Sequence, residues 1–104
     1  MAAKKFGCIA TIVMPKTTPL IKTNAVRQYG AKVILHGISL HESINHAHKI
    51  EKEKGLTFIH PFDDLHVIAG QGTIGKEILE EFDKPIDARV VCECGGGLIS
   101  GIAN

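Results

Sequence analysis

The sequence predicts an α/β fold, a parallel sheet of about four strands with flanking helices. Three observations predict it. Short apolar runs alternate with longer segments of helical pattern, in the order βαβαβαβ. The helical segments carry start and stop residues where capping needs them. The last strand candidate runs into three consecutive glycines, Gly95-Gly96-Gly97, ahead of a helix start at Leu98.

The first strand is expected over 9–14, an apolar run ended by Pro15 that suits burial on both faces. Thr18-Pro19 reads as an N-cap followed by proline at the first helical position, opening a helix over 19–29. Gly30 stands where a left-handed C-terminal cap belongs. A second strand follows over 32–36. Ser39-Leu40-His41-Glu42 has the spacing of a capping box, and a polar helix runs from it over 40–54 to Gly55. A third strand is expected over 56–59. Residues 67–82 read as a helix despite three glycines, and 88–92 as the fourth strand. Strands separated by helices in this order imply parallel pairing with right-handed crossovers.

Length, charge and cysteine content narrow the function. At 104 residues the chain is one domain at most. Twelve basic and eleven acidic residues, well mixed, leave a net charge of +1. That argues against nucleic acid or an anionic membrane as the main partner. No apolar run approaches the length of a membrane span, and the start Met1-Ala2-Ala3-Lys4-Lys5 lacks the apolar core of a signal peptide. Three cysteines form no disulfide framework, so a reducing compartment is expected, and the chain is read as cytoplasmic.

Four local motifs carry candidate chemistry. Gly70-Gln71-Gly72-Thr73-Ile74-Gly75 matches G-x-G-x-x-G, with Glu93 near the distance of a ribose-binding acid. The unit around it does not complete a dinucleotide site, so close packing of a helix on a sheet is the favoured reading. Cys92 and Cys94 would share a strand face, but no second pair accompanies them and no metal site is assigned. His41, His46 and His48 lie on a polar helix and read as solvated. His60-Pro61-Phe62-Asp63-Asp64 has the strand-then-loop form of a pocket wall, with Asp63 or Asp64 as a helix cap.

Glycine loops ahead of a helix bind anions, usually phosphate, through uncovered backbone N–H groups. Gly95, Gly96, Gly97 and Leu98 are therefore candidate phosphate ligands. No catalytic residue is assigned. Ser39, Ser43 and Ser100 have no visible nucleophile constellation. The ten lysines sit in polar surroundings that suit solvent.

The runs Ile59-His60-Pro61-Phe62-Asp63-Asp64, Val67-Ile68-Ala69-Gly70-Gln71-Gly72-Thr73-Ile74-Gly75 and Gly95-Gly96-Gly97-Leu98-Ile99-Ser100-Gly101-Ile102-Ala103 resemble the threonine ammonia-lyase (threonine dehydratase) and serine racemase family. Thr11-Ile12-Val13-Met14-Pro15 and Gly30-Ala31-Lys32-Val33-Ile34-Leu35-His36-Gly37 are similar to the same family. The resemblance covers the chain without a gap. It implies a fold of the tryptophan-synthase-β type (fold type II) and pyridoxal 5'-phosphate (PLP) as cofactor. The implied substrate is threonine or serine, deaminated to a 2-oxoacid and ammonia.

The resemblance further implies that Pro61 and Phe62 line the cofactor pocket and that Gly95–Leu98 hold the phosphate. It assigns 1–66 to the small-domain part and 67–104 to the return into the large domain. The PLP-bearing lysine segment and the Ser-Ser-Gly-Asn-His loop would lie before Met1. The Ser or Cys at the pyridine nitrogen would lie after Asn104. The chain then corresponds to the middle of a catalytic domain, inactive alone, and partnered by the remainder of that domain or by a second copy. A racemase-type parent and a non-catalytic module that packs on another chain are the alternatives. Four positions depart from the family pattern, among them Cys92 and Leu65, each where a proline is usual. Cys94 takes the place of a first loop glycine, where a Cβ would obstruct phosphate or exclude a positive φ. Glu93 brings negative charge to the loop.

Overall fold

The computed structural model describes residues 2–104. They fall into two compact units, the first ending at Phe58 and the second running from Ile59 to Asn104.

The first unit begins with a short helix, α1 (Ala2–Lys5), and a turn through Gly7. Strand β1 (Thr11–Met14) and strand β2 (Lys32–Leu35) pair in parallel, with Thr11 opposite Lys32 and Met14 opposite Leu35. Helix α2 (Leu20–Gln28) connects them, so the three form a β-α-β unit. The α2 start differs from expectation. Pro19 itself is the cap residue, and no side chain caps the helix. Its φ of −55° and ψ of 141° are those of extended backbone, which leaves Thr18 outside the helix. The α2 end is as the glycine implies. Gly30 takes φ +82°, its N–H donates to the Arg27 carbonyl at 2.9 Å, and Ala31 N–H reaches the Val26 carbonyl at 3.4 Å. Those two bonds are the Schellman pattern.

Helix α3 (Leu40–Lys54) carries the capping box its sequence spells. Glu42 N–H donates to Ser39 Oγ at 3.2 Å, and Glu42 Oε2 accepts from Ser39 N–H at 3.3 Å and from Ile38 N–H at 2.6 Å. Gly37 precedes this box at φ +69°, where a Cβ would overlap the Glu42 side chain. The buried Ser43 hydroxyl donates to the His36 carbonyl at 2.9 Å and ties α3 to the end of β2. Gly55 ends α3 in the left-handed conformation, with Leu56 N–H on the Glu51 carbonyl at 3.1 Å. Helix α3 packs on β1 and α2 on β2. Ile50 of α3 is the buried apolar side chain of the described residues, and Thr23 and Ser43 are buried polar ones.

The sheet of the described residues has two strands, β1 and β2, and not about four. Residues 56–59 and 88–92 run as irregular chain. The physical reason is pairing. A strand is defined by its ladder, and neither segment meets a neighbouring strand. Phe58 N–H donates instead to the Glu51 carboxylate, at 3.2 Å. Val90 is wholly exposed. The first strand also starts two residues late, since Ile9 is exposed and unpaired with β2.

The second unit is built on helices α4 (Leu65–Glu81) and α5 (Gly97–Ala103). Asp64 caps α4, its Oδ1 accepting from His66 N–H at 2.8 Å and from Val67 N–H at 3.2 Å. The glycines of G-x-G-x-x-G lie inside α4, and two of them, Gly72 and Gly75, are on the face that meets α5. A Cβ on Gly72 would come 3.0 Å from the Gly101 carbonyl oxygen, and one on Gly75 would come 3.1 Å from that of Ile102. In return, a Cβ on Gly101 would overlap the Ile68 carbonyl oxygen and lie 2.6 Å from Gly72 N. The glycines thus allow close packing on a helix, where packing on a sheet was expected. No described helix is long and apolar enough to cross a membrane.

Candidate functional site

The glycine segment bends through residues 94–96 and enters α5 at Gly97. Gly96 is the cap residue of α5, at φ +83° and ψ −17°, a conformation that costs a residue with a Cβ about 1–2 kcal/mol. Ser100 N–H donates to the Gly96 carbonyl at 3.0 Å and closes the first turn. Among the described residues no backbone carbonyl accepts from the N–H groups of Gly97, Leu98 or Ile99. These are the donors that every helix start leaves unpaired.

Phe62 explains the other two glycines. A Cβ on Gly95 would overlap the Phe62 ring, and a Cβ on Gly97 would lie 2.7 Å from the Phe62 carbonyl oxygen. The loop at 60–64 and the glycine segment are therefore in direct contact, and both glycines are needed for that contact. Phe62 is half-buried there and Pro61 is exposed. Of the six residues expected to bind cofactor, the structure thus joins Phe62, Gly95 and Gly97. Gly96 and Leu98 follow on the same turn, and Pro61 adjoins Phe62 in the loop.

His60 organises the loop from within. Its Nδ1 accepts from Asp63 N–H at 2.7 Å and from Phe62 N–H at 3.3 Å. Its ring meets the Phe62 ring edge-on, with centroids 4.7 Å apart. The sequence alone marks His60 only as the residue before Pro61, and no spacing rule announces an imidazole as a backbone acceptor.

Cys94 differs from expectation. No described residue other than glycine has a positive φ, so Cys94 occupies its place without the strain its side chain threatened. Cys8, Cys92 and Cys94 are exposed free thiols. No strand forms at 88–92, so Cys92 and Cys94 do not share a strand face. Among the described residues no group of three or more His, Cys, Asp or Glu is placed to hold a metal ion.

The helix histidines are more engaged than solvation implied. His46 stacks on His36 with centroids 3.9 Å apart, and His48 Nδ1 lies 3.0 Å from Glu51 Oε2. The His48 bond and the Phe58 N–H together hold the Glu51 carboxyl below the usual carboxylate range. Backbone donation from Ile38 and Ser39 does the same for Glu42.

Over residues 1–104 the chain matches the family described as pyridoxal-phosphate dependent enzyme. The chain belongs to that family. It is 50% identical over 103 residues to a catabolic L-threonine dehydratase of Staphylococcus aureus strain N315, covering 99% of this chain and 30% of the dehydratase. A processed form of threonine deaminase isoform 2 from Solanum lycopersicum superposes with a TM-score of 0.78 at 44% identity, covering 98% of this chain and 28% of that one. A PLP-dependent aspartate racemase superposes with a TM-score of 0.90 at 37% identity, covering 97% of this chain and 30% of that one. The chain spans less than a third of the length of each. Members of this family depend on PLP, and the glycine segment suits the phosphate of that cofactor. It offers N–H donors at a helix start that no described backbone carbonyl takes.

Proposed function

We propose that this chain forms the phosphate-holding part of a PLP-dependent ammonia-lyase that acts on threonine or serine. The observation that carries the reading is the contact of Phe62 with Gly95 and Gly97 under a turn whose N–H donors are unpaired. The backbone N–H groups of Gly95, Gly96, Gly97 and Leu98 hold the phosphate. The positive end of α5 adds to the attraction. Phe62 supports the loop from one side, and Pro61 contributes to the pocket wall. Neither side chain carries a proton to or from the substrate. When bound, PLP supplies the electron sink for loss of the α-proton and the β-hydroxyl.

Lyase over racemase is supported by the identities among solved structures, 44% to the Solanum lycopersicum threonine deaminase against 37% to the aspartate racemase. The substrate is then an L-hydroxyamino acid, and the product a 2-oxoacid with ammonia. The same reading places residues 1–66 in the small-domain part of the catalytic domain and 67–104 in the return to the large one. The remainder of such a domain, or a second copy, is the partner. A cytoplasmic setting belongs to it too, supported by three exposed free thiols that a reducing compartment preserves.

The test compares cofactor forms. The chain is titrated with PLP and with pyridoxal, which lacks the phosphate, following cofactor absorbance and the amide resonances of Gly95–Ile99. PLP is expected to shift those resonances and pyridoxal to leave them in place. Equal shifts by both, or shifts confined to residues outside 95–99, would remove the phosphate assignment.

A further inference from the structure

We propose that His60 is a positioning residue for the glycine loop. Its unprotonated Nδ1 fixes the backbone of Phe62, and Phe62 in turn fixes Gly95 and Gly97. The inference deepens the reading above and rests on it, since the loop being positioned is the one assigned to phosphate.

The argument begins with the acceptor. Nδ1 receives two backbone N–H groups, from Phe62 at 3.3 Å and from Asp63 at 2.7 Å. A nitrogen that accepts cannot carry a proton, so the two bonds require a ring with its hydrogen on Nε2. The two bonds close a tight turn around Pro61, of the kind that an Asn or Asp side chain makes with the N–H groups two and three residues on. Edge-on contact of the His60 and Phe62 rings, 4.7 Å between centroids, adds a second restraint on the same residue.

The second link is Phe62. Its ring lies where a Cβ of Gly95 would be, and its backbone lies against Gly97. A rotation of Phe62 therefore cannot leave the glycine segment where it is. Close-packed neighbours move together or separate. The position of the N–H donors at the start of α5 thus depends on the His60 imidazole through Phe62.

Protonation inverts the arrangement. An Nδ1–H would face two N–H donors, and both bonds would be lost. Other titratable groups stand near this loop: Asp63 and Asp64 within it, His66 in the first turn of α4, and Cys92, Glu93 and Cys94 before Gly95. A variant that keeps the acceptor and removes the titration separates them from His60. Asparagine does this, because its Oδ1 can take the place of Nδ1 and does not ionise.

The test is NMR on the 15N-labelled chain, without cofactor, comparing wild type, His60→Asn and His60→Ala. In the wild type the neutral His60 ring is expected to be the Nε2–H tautomer. On acidification the amides of Phe62, Asp63, Gly95 and Gly97 are expected to shift together, with the midpoint of the His60 ring itself. His60→Asn is expected to hold Gly95 and Gly97 at their neutral-pH positions throughout. His60→Ala is expected to displace them at every pH. An Nδ1–H tautomer, an unchanged Gly95 and Gly97 titration in His60→Asn, or unmoved glycine amides in His60→Ala would each overturn the proposal. The readout needs no PLP, so failure of the chain to bind cofactor would remove the phosphate reading and leave this result standing.

Discussion

At the scale of single residues, glycine carries most of the information in the second unit, and for two separate reasons. Gly96 is set by its backbone, at φ +83°. Gly72, Gly75, Gly95, Gly97 and Gly101 are set by what lies against them. Gly70, in the same helix as Gly72, has nothing within 4 Å of its Cβ direction. That contrast makes a prediction. Alanine in a helix is worth roughly 0.5–1 kcal/mol over glycine, so Gly70→Ala is expected to stabilise the chain by that amount. Gly101→Ala gains the same propensity but drives a methyl into the backbone at Ile68 and Gly72, which cannot swing aside as a side chain can. Overpacking of this kind costs roughly 1–3 kcal/mol, so the net effect is destabilising. Urea unfolding followed by circular dichroism decides it: the midpoint should rise for Gly70→Ala and fall for Gly101→Ala. Two equal rises would mean that α4 and α5 do not touch through these glycines.

At the scale of elements, the helix ends of the first unit are anchored by carboxylates as well as by glycines. Glu42 accepts from Ile38 and Ser39 N–H, and Glu51 takes the His48 ring and the Phe58 N–H. Both carboxyls are held below their ordinary value of 4.5, so the folded chain prefers them ionised. The stability they add is present above that value and is lost as pH falls through their lower folded-state range. Helix content is accordingly expected to fall on acidification below about pH 4.5, with a shallower fall in the double variant Glu42→Gln, Glu51→Gln. An acid limb of unchanged depth in that variant would refute the assignment. The same elements show what sequence alone can reveal. Ser39 with Glu42, Gly30, Gly55 and Asp64 are legible because capping is local, and a spacing of a few residues specifies it. Strands at 56–59 and 88–92 are not, because apolar β-formers supply only the willingness to pair, and the partner lies outside the segment. The glycines at 95–97 are legible as a loop, whereas their contact with Phe62, more than thirty positions earlier, has no local signature. Nor does the His60 acceptor, since imidazole in that role follows from ring orientation and from nothing in the spacing.

At the scale of the whole molecule, the proposed site has groups to bind a phosphate and none to react. Its donors are backbone N–H groups, its supports are Phe62 and Pro61, and His60 Nδ1 is occupied by two N–H groups. None of these is poised to take the α-proton of an amino acid. The ten lysines of the chain all lie outside 60–64 and 95–98. Binding a cofactor's phosphate stabilises ground and transition state alike, so by itself it raises no rate. The chain also spans only 30% of the dehydratase it resembles at 50% identity. Incubated with PLP and L-threonine, the 104-residue chain is therefore expected to form no 2-oxobutanoate beyond the rate of PLP alone. A coupled dehydrogenase assay for the 2-oxoacid, with a full-length threonine dehydratase as positive control, measures it. Turnover that depends on the chain and disappears with a single lysine substitution would show a reacting group that this geometry does not contain. Turnover absent in the chain but phosphate-dependent PLP binding present would separate the two halves of the chemistry, with anchoring in residues 95–99 and proton transfer supplied from elsewhere in a longer protein or a partner chain.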